Sequence, residues 1–412
     1  MESIPPEPQA ASKTVATLPS SVNKSSDLDI KLSLEPIPGF KIELQSKRAQ
    51  SEMISVQPQF ADAPTTYSGN FRMTTCILGT AFWSSGKASN NYESRAFQNL
   101  LDNREIIAQR LEEKYAGSTY PTNGFMQGHI LGGQKYDPSN GGVNRNSADV
   151  LIPAFFAAYS GHDPSSQTLD LFPDFLSMLP NWKITYDGFG KLKSMQKYFR
   201  SFPISHSYQC TYNVGSYTSY SNFTAIGEDM GFTKDVTTGN PVPSSQYNIT
   251  SVNITESLNP LIGVDMTMKN SLLIKLEFKK QRTLTLNVSS NQLMEAKNDE
   301  WVVGAGYVLK DFDIMLKLKQ NRVKKVKNDL NLRADFSLKD VETIVRKIEL
   351  AQSQATAGDM VIAFKFSADY VFSERLSFRL YYDMQLRNPL VSTSYPTATH
   401  DVGIAAKVIL TR

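Results

Sequence analysis

The chain has 412 residues, a net charge of only +3 and 41% hydrophobic residues, with a mean hydropathy of −0.31. It holds no apolar run of ~18 residues, which excludes a transmembrane helix. The small net charge gives no reason to expect nucleic acid or another polyanion as a partner. The length suffices for two or three soluble domains or one large β structure.

Met1–Asp27, rich in Ser, Pro, Ala and Thr, reads as a disordered leader. It has neither the basic start nor the apolar stretch of a signal peptide. An exported chain of this kind is therefore expected to be the C-terminal part of a longer protein, or a translation from an internal Met. Leu28–Leu34 and Phe40–Ala49 predict a hairpin around the turn Pro36–Gly39. Phe71–Leu78 predicts another strand. The pattern then changes. In Tyr92–Tyr115, Phe97, Leu100, Leu101, Ile107 and Leu111 fall on one helical face, with Gly117 as a stop. Gly117–Ser147 reads as a Gly/Asn-rich loop, Ala148–Tyr159 as an apolar helix and Leu169–Leu179 as another. Strands resume at Asn181–Tyr186. Residues 84–179 are thus a helical and loop insert, too long for an ordinary connection. It is a candidate gating or partner-docking element.

From Ile249 to Arg412 apolar and polar residues alternate in short runs. Leu272, Ile274, Leu276 and Phe278 oppose Leu273, Lys275 and Glu277. Leu284, Leu286 and Val288 oppose Thr283, Thr285 and Asn287. Comparable rows run through Phe312–Lys319, Leu330–Leu338, Ile362–Phe372 and Arg379–Gln385. A period of two sends alternate side chains to opposite faces of a sheet. Runs of about 8–12 residues match a tilted strand through a bilayer. The expected fold is all-β, an antiparallel transmembrane β-barrel of roughly fourteen to sixteen strands. Residues 28–412 form the barrel segment and carry the insert. The candidate lipid-facing residues are Leu272, Ile274, Leu276, Phe278, Phe364, Phe366, Tyr370 and Phe372. The candidate lumen-facing residues are Lys275, Glu277, Asp313, Lys317, Lys319, Arg333, Asp335, Lys365, Asp369, Arg379 and Asp383. Aromatics on the apolar rows (Phe278, Trp301, Phe312, Phe336, Phe372, Tyr382) suit an interfacial girdle. A soluble β-sandwich that binds glycans also alternates, with its apolar face on a core, and remains the rival; a small stand-alone channel or adhesin barrel is a second.

No phosphate loop, H-E-x-x-H or G-x-S-x-G motif occurs, and His129, His162, His206 and His400 are isolated, so no catalytic, cofactor or metal residues are assigned. Cys76 and Cys210 read as unpaired strand residues. Lys317, Lys319, Arg322, Lys324, Lys325 and Lys327 form a basic cluster without interleaved aromatics, which argues against a nucleic-acid site. With a periplasmic C-terminus, counting strands backward places Asn388–His400 outside, Ser373–Arg375 inside, Asp340–Gly358 outside and the Asn321–Asn328 turn inside.

Several longer segments carry a resemblance. They are LEPIPGFKIEL (Leu34–Leu44), DVLIPAFFAAYSG (Asp149–Gly161) and LPNWKITYDGFGKLKSMQKYFRSFPISHSYQCTYNVGSY (Leu179–Tyr217). Further on come LNPLIGVDMTMKNSLLIKLEFKKQRTLTLNVSSNQL (Leu258–Leu293), TIVRKIE (Thr343–Glu349) and VSTSYPTATHDVGIAAKVIL (Val391–Leu410). Together they resemble the C-terminal region of the SprA/Sov family, the outer-membrane translocon of the type IX secretion system of Bacteroidetes, over nearly all of Leu28–Leu410. The resemblance implies a share in a barrel of about thirty-six strands. It also implies passage of folded cargo from periplasm to cell surface, and an association with gliding motility. The implied partners are secreted cargo, a plug, an outer-membrane shuttle and membrane lipid. The chain is far shorter than the family's full length, and it ends in Thr-Arg where an aromatic insertion signal is usual.

Overall fold

The computed structural model describes residues 20–56, 65–227, 230–318, 322–373, 375–391 and 394–409. Its frame is one antiparallel sheet. The strands are β1 (Ser20–Ile37), β2 (Phe40–Val56), β3 (Thr66–Thr74), β4 (Asn181–Tyr186), β5 (Phe199–Ser201) and β6 (Ile204–Ser219). A small separate sheet holds β7 (Thr224–Ala225), β8 (Gly231–Lys234) and β9 (Pro241–Ser244). The main sheet continues through β10 (Tyr247–Ile249), β11 (Ser251–Met268), β12 (Leu272–Asn287) and β13 (Gln292–Leu318). It ends with β14 (Arg322–Lys347), β15 (Gln352–Ser373), β16 (Leu376–Pro389) and β17 (Thr397–Val408). Its order is β1-β2-β3-β6-β11-β12-β13-β14-β15-β16-β17. Among the described residues, β1 and β17 are edges that do not pair with each other. Among the described residues no helix is long and apolar enough to cross a membrane.

One strand position is shared by two segments. Arg48–Ser55 of β2 pairs with β3, and Phe40–Gln45 pairs with β4. On the other side β6 pairs with both. The chain leaves this position after Thr74 and re-enters it at Asn181, where the Leu179 amide donates to the Thr74 carbonyl at 3.4 Å. The excursion builds a small helical body with α1 (Arg95–Tyr115) and α2 (Ala148–Ser160). α1 buries Phe97, Leu100, Ile107 and Leu111, the stripe its spacing predicts. The chain turns just past it at Gly117, with a φ of 82° that favours glycine. α2 is apolar nearly all round and lies in the centre of the core. That core joins the insert to Phe71, Tyr208, Tyr212, Ile254, Leu284, Leu286 and Leu293 of the sheet.

Several expectations are corrected. Residues 20–27, read as leader, are the start of β1 and pair with β2; residues 1–19 lie outside the described residues. The insert spans 75–180 rather than 84–179, because β3 ends at Thr74. Leu169–Leu179 is not a helix: Pro173 intervenes, and only the turn Phe175–Ser177 is helical, of 3-10 type. Cys76 lies beyond the end of β3, whereas Cys210 is a buried strand residue; both are free. The strands are much longer than expected, with 27 residues in β13 and 26 in β14. Leu272–Phe278 and Thr283–Asn287 are one strand because the charges between them are paired across the ladder. Asp340–Gly358 is not a loop. Asp340–Lys347 continues β14, and the turn is at Ile348–Ala351. Arg322–Asn328 is likewise ladder. Charged residues that read as turns stand on long strands, opposite partners distant in sequence.

Candidate functional site, a wall with two unlike faces

Directly paired residues of an antiparallel ladder point to the same side, so the registers trace each face across the sheet. On one face an apolar row crosses every strand position. It runs through Leu32 and Leu34, Phe40 and Ile42, Ile184 and Tyr186, Ile204, Ile262 and Val264. It continues through Leu272–Phe278 at even positions, Trp301–Leu309 at odd ones, and Leu330–Leu338 and Ile362–Tyr370 at even ones. It ends in Phe378–Leu386 and Val402–Val408, again at even positions. The row is open: Trp301 is 55% exposed, Val303 46% and Ile404 76%. It descends along the registers from Ile30–Leu34 on β1 to Val402–Val408 on β17, a stagger that tilted strands produce. On β13, Trp301–Leu309 covers ~26 Å at about 3.3 Å per residue, close to the ~25 Å apolar band of a membrane barrel. Phe278 stacks on Trp301 with ring centroids 4.2 Å apart at one margin. Tyr186, Phe189 and Phe40 cluster at the other.

All the candidate lipid-facing residues lie on or against this apolar face. Phe372, beside a register shift, has its ring 6.3 Å from Phe378. Tyr370 differs in exposure, being buried at 5% with its hydroxyl donating to the Phe312 carbonyl. A bulge after Leu309, with Asp311 at a φ of 56°, swings Phe312 over it.

The candidate lumen-facing residues take the opposite face. Lys275 pairs with Glu277 at 2.9 Å, Arg333 with Asp335 at 2.7 Å and Arg379 with Asp369 at 2.5 Å. Lys365 stands opposite Asp335 and Asp383 in the ladders. The register positions of Asp313 and Lys317 fall on this face; Lys319 lies outside the described residues. Gly304 sits between Lys275 and Asp335, where a Cβ would come 2.7 Å from the Asp335 carboxylate. The two arginine pairs are solvent-exposed and add little to stability. Their role is to keep the face wet rather than to stabilise it.

Beyond Phe278 the apolar face changes character without changing side. Lys280 pairs with Asp299 at 3.0 Å. One step on, Arg282 is buried under the insert. It bonds Glu256 at 2.6 Å and donates to the Thr80 and Ile77 carbonyls at 3.1 and 3.0 Å. Tyr208 donates to Glu256 at 2.7 Å and accepts from the Ile77 amide at 2.9 Å. Arg346 repeats the device: it pairs with Glu295 at 2.8 Å and donates to the Ser85 and Tyr92 carbonyls, each at 2.7 Å. These two arginines fasten the segment Ile77–Tyr92 across the wall. Sequence reading missed Glu256, Arg282, Glu295 and Arg346. Their signal was parity, since charges at positions that continue an apolar row require a covering partner.

Two clefts flank the insert. One, of about 1100 Å³, lies between the start of α1 and β14–β15; the other, of about 400 Å³, is lined by Lys114, Tyr115, Asp149 and Tyr247 among others. Neither is lined by a histidine or a cysteine. Asp149 accepts from the Ser245 amide at 3.1 Å, and burial holds its carboxyl above the usual carboxylate range. Burial also pushes Tyr115, which donates to the Gly231 carbonyl at 2.9 Å, up to about 12. Among the described residues no group of three or more side chains could hold a metal ion. His206 bonds the Leu261 carbonyl and His400 meets Tyr382.

No family model matches the chain, and no curated protein matches it. Among solved structures, one that is similar is OmpT, an outer membrane protein of Vibrio cholerae, folded in vitro and in trimer form. The identity is 10%, with 95% of this chain and 99% of that chain covered, at a TM-score of 0.24. A superposition that loose carries no weight for function.

Proposed function

We propose that this chain is a stretch of wall in a large outer-membrane β-barrel, and that the barrel is the protein-conducting translocon of a type IX secretion system. One observation supports the membrane reading above the others: an open apolar belt crosses every strand position on one face, with ion pairs opposite it. Lipid is the environment that stabilises the first face, and a water-filled lumen the second. The edges at β1 and β17, unpaired among the described residues, support a share in a larger barrel, since an open edge in lipid costs several kcal/mol per unsatisfied group. The resemblance to the SprA/Sov family supplies the finer reading: folded cargo passes from periplasm to surface, and in motile cells gliding depends on it.

The insert shares a face with the belt. In a barrel it therefore stands outside the wall, not in the lumen, which favours a docking element for a plug or shuttle over a gate. The soluble-sandwich rival needs a second layer over the belt, and among the described residues the belt has no such layer, Trp301, Val303 and Ile404 all standing open. The deciding experiment removes this coding segment from its native cell. Type IX cargo should then accumulate in the periplasm and gliding should stop; continued surface delivery of cargo would overturn the proposal.

A further inference from the structure

β4 and β6 are antiparallel neighbours whose ends pair at Tyr186 and Ile204, so a turn of about two to five residues would join them. Residues 187–203 join them instead. This connection holds Lys191, Lys193, Lys197 and Arg200, and from Gly188 to Pro203 no carboxylate. All four cations are exposed.

The segment is pinned to the end of the sheet away from the insert. The Asp187 amide donates to the Gly39 carbonyl at 2.9 Å in the β1–β2 turn, and the Lys269 amide donates to the Tyr198 carbonyl at 3.0 Å in the β11–β12 turn. Its aromatics continue the belt: Phe189 meets Tyr186 edge-on at 4.9 Å, and Phe199 meets Phe202 at 5.2 Å. Leu192 and Tyr198 stay half exposed. Aromatic rings beside long cationic side chains, at the margin of an apolar belt, match the headgroup zone of a bilayer. Clustered Lys and Arg there attract anionic headgroups.

We infer that residues 188–202 bind the phosphate groups of anionic phospholipids at the belt margin opposite the insert. The inference rests on the membrane reading above. In an outer membrane phospholipid fills the periplasmic leaflet, so the site places this end of the wall toward the periplasm and the insert toward the cell exterior.

The test uses the protein in its native membrane, extracted with a styrene–maleic acid polymer so that surrounding lipid is retained. The ratio of phosphatidylglycerol to phosphatidylethanolamine in the discs is compared with that of the bulk membrane. Wild type should be enriched in phosphatidylglycerol. The variant K191Q/K193Q/K197Q/R200Q should return to the bulk ratio, whereas K87Q/K234Q, away from this margin, should keep the enrichment. Heat-modifiable mobility checks that each variant still folds. Enrichment that survives in the quadruple variant, no enrichment in wild type, or enrichment of lipid A instead, each overturns the inference. If no lipid is extracted with the protein, the membrane reading fails first.

Discussion

Phe278 and Arg282 project from the same face of one uninterrupted strand, yet Phe278 lies in the open belt and Arg282 is buried beneath the insert. The ladder between β12 and β13 has no register shift, so the two cannot be on different sides. If the belt meets lipid, the insert is outside the barrel. A belt residue changed to a charge should then be costly where a polar-face neighbour is not. Arg at Ile274 or Phe366 should destabilise by about 2–4 kcal/mol, and Arg at Lys275 or Lys365 by little. Unfolding titrations in lipid vesicles measure this; equal costs on both faces would reverse the assignment.

The orientation can be read with an impermeant thiol reagent in a background lacking Cys76 and Cys210. The turn residue Leu350 is 60% exposed, at the end that carries the insert. Cysteine at Leu350 should be labelled on intact cells. Cysteine at Leu192, at the opposite end, should be labelled only after the outer membrane is breached. Ser353 is a poorer reporter than its sequence position suggests, since its hydroxyl is held by Arg346 at 2.9 Å. The opposite labelling pattern would invert the topology.

The pair Arg282–Glu256 should fasten the insert. Glu256→Gln leaves the guanidinium buried without a counter-charge, which costs about 3–5 kcal/mol. The loss should appear as faster protease cleavage and hydrogen exchange in Ile77–Tyr92, with the belt strands unchanged. Replacing both residues by apolar side chains of similar volume, Glu256→Leu with Arg282→Met, should recover much of the loss. Unchanged protection in Glu256→Gln would show that the carbonyl contacts suffice.

Asp149 predicts a pH dependence. Its folded pKa is raised above the ordinary 3.8 by burial, so the folded insert holds that proton more tightly than the unfolded chain. The stability it contributes is complete below the ordinary value and is lost as pH rises through the folded one. Asp149→Asn keeps an acceptor for the Ser245 amide and should remove this slope. At pH 7 the variant should resist urea better than wild type, and near pH 4 the two should converge. A variant weaker than wild type at pH 7 would contradict this.

The two edges predict the behaviour of the chain by itself. Expressed alone, it should aggregate or close into a small non-native barrel, because among the described residues β1 and β17 each present an unpaired row of backbone groups. Cells that carry only this segment should secrete no type IX cargo. Secretion by such cells would refute the larger-barrel reading.

Alternation alone determined the local partition of residues. From Leu272 onward, period two sorted Phe364 from Lys365 and Asp369 from Tyr370, because a pleated strand leaves each side chain only two directions. The spacing of Phe97, Leu100, Ile107 and Leu111 likewise marked α1. Strand length and cover were decided by tertiary contacts. Lys280 and Arg282 interrupt two alternating runs, and Glu342 lies in the stretch Asp340–Gly358 placed outside, until Asp299, Glu256 and the insert stand against them, since the cost of burying a charge depends on partners distant in sequence. That β3 and β4 complete one strand position, and that the insert lies on the belt's side of the wall, follow from register. Register is a relation between strands, and no single strand contains it.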